Sequence, residues 1–324
     1  MLNFKKKRHV SFEINEYVLR VLVANGADLL QASVMEYPLD PGVVEEGFIR
    51  DEMALYELFK QHLHSWGGKR QNARFFVPDS SVMMRTFDHP SDLPSNKLKS
   101  YVEMELGRSI HLPFSEPLID VYDHEPNDEQ AMLFAAPSEE VLKFMGLLDD
   151  VSLHPAVVDI RALTNIRFLG NVELLSDSKT YLIADWSINE LSISIYTNGK
   201  VEFLRYQSID LPNRKWSARV GQNDEVEYHF DGAVEEYHSH LVDHIAEIDR
   251  ILNFFRFSIH KGDKKVDEII IMGDSPVLDH IALQLKENYQ TPTTMVDDAF
   301  VAKRFPGFKR KHSTLIGLAM KEEY

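Results

Sequence analysis

The chain of 324 residues contains no cysteine. That excludes disulfides and thiolate metal sites and suits a reducing compartment. No apolar run approaches the ~18 residues that a membrane-spanning helix needs. The early cluster Lys5-Lys6-Lys7-Arg8 is not followed by the apolar stretch of a secretory signal, so a cytoplasmic location is expected. Positive charge is scarce, with 35 Lys plus Arg against 51 Asp plus Glu and a net charge of −16. A nucleic-acid partner is therefore not expected, because phosphate affinity requires a basic surface. The His-Glu-x-x-His, Gly-x-Ser-x-Gly and Walker-type Gly-x-x-x-x-Gly-Lys signatures are all missing, which excludes the corresponding motif-borne chemistries.

What is present is a repeated pattern. His9 to Ile14 and Tyr17 to Ala24 read as strands, Asn25-Gly26 as a hairpin turn, and Asp28 to Tyr37 as a third strand. The layout recurs at Thr180 to Asp185, Leu191 to Thr197, Asn198-Gly199 and Lys200 to Tyr206. Each meander precedes a helix and a further strand. In the first half these are Glu52 to Trp66, with Leu55, Phe59, Leu63 and Trp66 on one face, and Asn72 to Val77. In the second they are Glu235 to His260, with an apolar stripe from Leu241 to Ile259, and Asp267 to Met272, after which Asp279 to Tyr289 is helical. Matching units predict a duplicated α/β fold. Between them, Ser81 to Val158 reads as an α+β insertion. Its expected parts are helices from Ser95 to Arg108 and from Ser138, an N-cap, to Leu148, with strands at Leu118 to Tyr122 and Gln130 to Ala135. His238, His240 and His244 read as a solvated helix face rather than a zinc site.

Several motifs together resemble one family. They are Val102-Glu103-Met104-Glu105-Leu106, Ile110-His111-Leu112-Pro113-Phe114 and Asp120 in the insertion, then Ala135-Ala136-Pro137, Leu153-His154-Pro155 and Val158-Asp159. Glu247-Ile248-Asp249-Arg250 before Phe254-Phe255, and Gly317-Leu318-Ala319, complete the series. Their order is similar to that of the PilM family, cytoplasmic actin-like proteins of type IV pilus assembly. The resemblance implies an actin-like, ribonuclease H-like duplicated fold. It divides into a first lobe (1–78, completed by 159–178 and 306–324), an inserted subdomain (79–158), a second lobe (179–207 and 263–305) and a helical and strand subdomain (208–262).

In that superfamily two Gly-containing hairpin tips and a Gly-Gly turn hold ATP by main-chain amides. The corresponding positions here are Asn15 and Glu16, Asp185 and Ser187, and Gly273 and Asp274. Glycine is replaced at both tips, Glu190 adds another acid, and carboxylates near a polyphosphate are unfavourable. The resemblance therefore implies a degenerate nucleotide site with no catalytic residue, no metal site and no cofactor expected, Mg-ATP binding being the alternative. It also implies an adaptor that binds the N-terminal cytoplasmic peptide of a PilN-like inner-membrane protein, in a groove built partly from Val82 to Tyr122. Through that partner it would sit at the inner membrane face beside the pilus assembly complex and its motor ATPases. An active actin-like ATPase and a cytoskeletal filament protein are the rival readings, and self-association stays open. Lys5 to Arg8, Lys303-Arg304 and Lys309 to Lys311 are basic clusters, read either as solvated charge or as contacts to anionic lipid.

Overall fold

The chain opens with β-branched and aliphatic residues in long runs, which favour strands buried on both faces. β1 (Arg8–Ile14), β2 (Val18–Asn25) and β3 (Asp28–Pro38) form an antiparallel meander. The structure, a computed structural model, describes residues 8–26, 28–125, 128–209 and 215–322. Lys5, Lys6 and Lys7 of the first basic cluster lie outside them. α1 (Glu52–His62) follows, capped by Asp51, whose carboxylate accepts from the amide of Ala54. β4 (Asn72–Phe76) then pairs in parallel with β1.

The next segment is a small unit of its own. β5 (Met83–Asp88), α2 (Leu98–Glu105), β6 (Pro117–Tyr122) and β7 (Gln130–Pro137) build a sheet of order β5-β7-β6 with a core of Phe87, Leu98, Val102, Ile110 and Leu133. α3 (Ser138–Asp150) then lays Val141, Phe144 and Leu148 against the first lobe, and β8 (His154–Asp159) pairs in parallel with β4. The first sheet thus has the order β8-β4-β1-β2-β3.

α4 (Arg161–Asn171) leads into the second lobe. There β9 (Tyr181–Trp186), β10 (Glu190–Thr197) and β11 (Lys200–Ser208) form the second meander. A two-stranded hairpin, β12 (Trp216–Val220) with β13 (Val226–Phe230), precedes α5 (Val234–Asn253). β14 (Glu268–Met272), α6 (Leu278–Asn288), β15 (Thr293–Met295), α7 (Asp298–Arg304) and α8 (Ser313–Ala319) finish the chain. The second sheet has the order β11-β10-β9-β14-β15, with both added strands parallel to β9. This is the topology of the first sheet, so the duplication read from the sequence is present at the level of strand order and direction.

Three cores hold the two lobes. Phe12, Phe59, Trp66 and Phe144 interlock in the first, with the Phe12 and Phe59 rings stacked at 5.1 Å. Trp186, Trp216, Tyr237, Leu241, Ile248 and Phe255 fill the second. The third lies between the sheets. Strand alternation sends Leu182 and Ala184 to the second core, while Tyr181 and Ile183 face α4 and α8 together with Leu22 from β2. The C-terminal helix therefore closes a layer shared by both lobes.

Local differences from the sequence reading have clear causes. Asn25 is the last residue of β2 and pairs with Asp28, so the first turn sits one residue later; Ala27 lies outside the described residues. The second turn is at Asn198-Gly199, both at positive φ (52° and 79°), as a two-residue hairpin requires. β8, whose residues His154 to Val158 the sequence places in the insertion, is an edge strand of the first sheet, where a proline such as Pro155 is tolerated, and a register shift follows it. Ser138 is the first helical residue rather than the cap: the N-cap is Pro137, with no side-chain cap bond. The helix expected from Ser95 to Arg108 is short because Leu106 leaves the helical conformation and Gly107 turns at φ 76°.

Gly317 lies where α8 crosses α4. A Cβ there would stand 2.1 Å from the carbonyl oxygen of Thr164, a backbone atom that cannot swing aside. Gly317→Ala should therefore destabilise the protein by about 1–3 kcal/mol or more, read as a lowered urea midpoint at unchanged slope.

Candidate functional site in the cleft between the lobes

The two hairpin tips and the turn after β14 converge on the cleft, and side chains of both lobes meet there. Asn15 makes the first tip. Its carboxamide oxygen accepts from the amides of Tyr17 (2.8 Å) and Val18 (2.9 Å), and its own amide donates to Val18 O at 3.1 Å. This side-chain turn leaves Asn15 outside the left-handed region, so the position does not use the conformation a glycine would supply. Glu16 turns back to its own lobe and accepts from the amide of Glu46 at 3.0 Å.

At the second tip the Ser187 amide donates to Glu190 O at 2.9 Å, and Trp186 is buried in the second core. Asp185 accepts from Asn165 (2.7 Å) and Thr314 (3.1 Å), so its carboxylate is tied to α4 and α8. Gly273 has φ 115°, and a Cβ there would lie 2.2 Å from the Trp186 carbonyl oxygen. Contact with the end of β9 is enough to require glycine at this position. Asp274 then points across the cleft to the first lobe.

Two arginines occupy the centre. Arg20 is 1% exposed. Its guanidinium donates to Asp274 (2.7 Å), Glu36 (3.0 Å), Glu13 (3.5 Å) and the Tyr228 hydroxyl (2.9 Å). Tyr228 donates in turn to Asp274 at 2.9 Å. Glu13 and Glu36 are the cross-strand partners of Arg20 on β1 and β3, so register alone aligns the three charges. Arg161, at the start of α4, binds Asp79 (2.7 Å) and Glu13 (2.9 Å) and stands 3.7 Å from Asp185. Asp79 also accepts from Ser192 of the second lobe at 2.7 Å. Every bridge from Arg20 to Asp274, Arg161 to Asp185 and Asp79 to Ser192 crosses between lobes.

The C-terminal segment extends the network. Lys311 (2.6 Å) and His312 (3.1 Å) contact Glu36, Lys309 contacts Glu225 (2.6 Å), Arg310 contacts Asp279 (3.3 Å), and Arg304 contacts Glu173 (3.3 Å). Four of the five cations in the expected basic cluster at 303–311 are thus engaged by carboxylates of the same chain. Among the described residues no group of three or more His, Asp or Glu side chains could hold a metal ion. His238 instead stacks on His280 at 3.7 Å, and His244 stands 3.4 Å from Gln207.

Charge states follow from this geometry. Burial pushes Asp274 up, but Arg20 and Tyr228 outweigh it and hold the carboxyl below its usual range. Glu190 is 6% exposed, and burial pushes its carboxyl up to about 8, the nearby Arg161 only partly opposing Asp79, Glu16 and Asp274. Of the site residues read from the sequence, Asn15 and Asp274 meet directly (3.4 Å), Asp185 and Gly273 pack at the second tip, and Glu16 faces away from them. Sequence reasoning missed the network that Arg20, Arg161, Asp79, Tyr228 and Glu36 form here. The available signal was an arginine inside the run Val18-Leu19-Arg20-Val21-Leu22, where a charge needs a buried partner.

The family profile described as type IV pilus assembly protein PilM matches residues 17–210, more than half of the chain. The chain belongs to the PilM family. A solved PilM–PilN type IV pilus biogenesis complex has the same fold, with a TM-score of 0.74 at 17% identity over 98% of this chain and 99% of that chain. More distant are the ethanolamine utilization protein EutJ from Carboxydothermus hydrogenoformans (TM-score 0.50, 9% identity, 97% and 89% covered) and MreB 5 of Spiroplasma citri bound to AMPPNP (0.48, 10%, 97% and 95%). No curated protein matches the chain. As a PilM family member it is a type IV pilus assembly protein with an actin-like fold, and no helix among the described residues is long and apolar enough to cross a membrane.

Two variants test the cleft. Arg20→Ala takes the shared cation from three buried carboxylates, Glu13, Glu36 and Asp274, and should cost about 3–5 kcal/mol in urea unfolding. Glu190 has a folded pKa above its ordinary 4.5, so its contribution is complete below that pH and is lost as pH rises through about 8. Glu190→Gln should therefore leave stability at pH 4 nearly unchanged and raise it at pH 9 by roughly 2–4 kcal/mol, part of the gain being offset by the buried amide.

Proposed function

We propose that the protein is an actin-like adaptor of type IV pilus assembly, that its cleft is closed by its own side chains instead of by nucleotide, and that it takes the cytoplasmic tail of a PilN-like membrane protein. The observation that carries the reading is the pair of buried arginines. In a nucleotide-dependent relative the cations and tip amides of such a cleft face phosphates. Here Arg20 and Arg161 are saturated by Glu13, Glu36, Asp79 and Asp274, and the amides of Tyr17, Val18 and Ser187 bond within the chain. Glu16 turns back to its own lobe and Glu190 is buried with its carboxyl pushed up to about 8, so neither supplies a cation for phosphate. These residues fit a magnesium triphosphate poorly, and no hydrolytic step is derived from them.

Family membership and the fold shared with a PilM–PilN complex support the choice of partner. The junction of the first lobe, the small inserted unit and the second lobe offers a cavity of about 290 Å³ lined by Val82, Met83, Met84, Ile160, Ile193 and Leu204. β5, which carries Met83 and Met84 at the cavity, and β6, whose Leu118 and Tyr122 are exposed, are the two edges of the inserted sheet; such an edge suits an extended peptide adding main-chain bonds, with apolar anchors in the cavity on the β5 side.

Calorimetry separates the two halves of the proposal. A synthetic PilN-type tail peptide should bind in the micromolar range, and Met84→Arg should weaken it at least about tenfold while the melting temperature holds. Mg-ATP at millimolar concentration should give neither heat nor a rise in melting temperature. No peptide binding by the folded protein would overturn the adaptor reading; a clear Mg-ATP stabilisation would overturn the self-closed cleft.

A further inference from the structure

The geometry points to a direct contact between this protein and anionic membrane lipid, made by the end of α5 and the loop that follows it; we propose this independently of the peptide-binding reading. After Asn253 the helix changes to π-helical geometry over Phe254–Ile259. The His260 amide donates to Phe255 O at 3.1 Å and the Gly262 amide to Arg256 O at 2.8 Å. π-helical turns are rare and gather at functional sites. This one buries Phe255 in the second core and leaves Phe254 (47%), Phe257 (56%) and Ile259 (38%) exposed. The Arg256 guanidinium lies 4.9 Å from the centre of the exposed Phe257 ring.

The same segment reverses the charge of the protein locally. Residues 254–265 hold Arg256, Lys261, Lys264 and Lys265 against a single carboxylate, Asp263, in a chain of net charge −16. Lys264 is engaged by Thr197 (3.2 Å) and Glu202 (3.9 Å). Arg256, Lys261 and Lys265 make no ion pair among the described residues. Two of the acids beside the patch are occupied, Glu202 by His260 at 2.8 Å and Glu125 by Lys200 at 3.7 Å. Lys179, just before β9, is engaged by Glu268 at 3.4 Å and adds no free charge. The basic segment 303–311 is mostly consumed by internal ion pairs, so it does not compete as the lipid-facing surface.

Exposed phenylalanines beside cations that lack counter-charges match an interfacial membrane contact. The rings enter the headgroup boundary and the ammonium and guanidinium groups meet lipid phosphates. The strongly acidic remainder of the surface would be repelled by the same membrane, so the patch also sets orientation.

The test is flotation of the full chain with phosphatidylcholine vesicles, with and without phosphatidylglycerol. Association is expected only with phosphatidylglycerol present and should weaken with salt. Lys261→Glu with Lys265→Glu, and separately Phe254→Ser with Phe257→Ser, should each lower the partition coefficient at least about tenfold. Phe254 leans on Phe203 at 6.0 Å, so the charge-reversal pair, at two exposed positions, guards against a folding artefact. No binding to phosphatidylglycerol vesicles, equal binding to the neutral ones, or undiminished binding by the charge-reversed protein would overturn the proposal. Capture of an acidic peptide at the patch without vesicle binding would overturn it as well.

Discussion

A guanidinium with almost no access to water has to be met by carboxylates, and Arg20 is placed where no single lobe supplies enough of them. Removing an ion of this kind from water costs several kcal/mol, which is recovered only when its donors are all engaged in good geometry. Glu13 and Glu36 come from its own sheet, whereas Asp274 comes from the second lobe and Tyr228 from the hairpin beside it. Opening the cleft would separate Arg20 from Asp274 and Arg161 from Asp185 together. The relative position of the lobes is thereby written into the charge balance of β2.

The shared core acts in the same direction. α8 packs on α4, β1 and β2, and its residues Leu315, Ile316 and Leu318 are fully buried in the layer that also contains Ile183 and Ile270 of the second sheet. The approach to that helix is fixed electrostatically, since Lys311 and His312 both contact Glu36. The last residues of the described chain therefore brace β3 of the first lobe and the inner face of the second at once. Moving the lobes apart would therefore expose this shared apolar layer as well as break the ion pairs of the cleft.

The strand-level duplication was legible because it depends on short-range chemistry: runs of Val, Ile and Leu, and Asn-Gly at a two-residue turn. Where tertiary pairing overrides local pattern, legibility falls. His154-Pro155-Ala156-Val157-Val158-Asp159 carries a proline and no clean alternation, yet it is a strand, at the edge of the first sheet, because β4 stands ready to pair with it. At the candidate site, replacement of glycine by Asn15 was visible, but its reason was not. The residue replaces a backbone conformation with a side-chain turn, a fact about two amides and not about tolerance of positive φ. Arg161 and Asp79 are 82 positions apart and meet only because the inserted unit leaves and rejoins the first lobe between them. The basic run near the C-terminus read as solvated charge or a lipid contact because its partners, Glu36, Glu225 and Asp279, are remote in sequence.

A cleft closed by its own side chains changes what the fold can use for recognition. In the proposed adaptor role, binding cannot draw on lobe closure, because the two states that closure would connect differ by the loss of several buried ion pairs. Affinity must then come from surfaces that are already formed: the edge of β6, the cavity beside Met83 and Met84, and the aromatic and basic end of α5. Preformed surfaces lose little conformational entropy when a flexible tail orders on them, so the ordering cost falls mainly on the tail. On the proposed reading, rigid lobes and recognition confined to the outside would follow from one substitution of chemistry, internal carboxylates for an external polyphosphate.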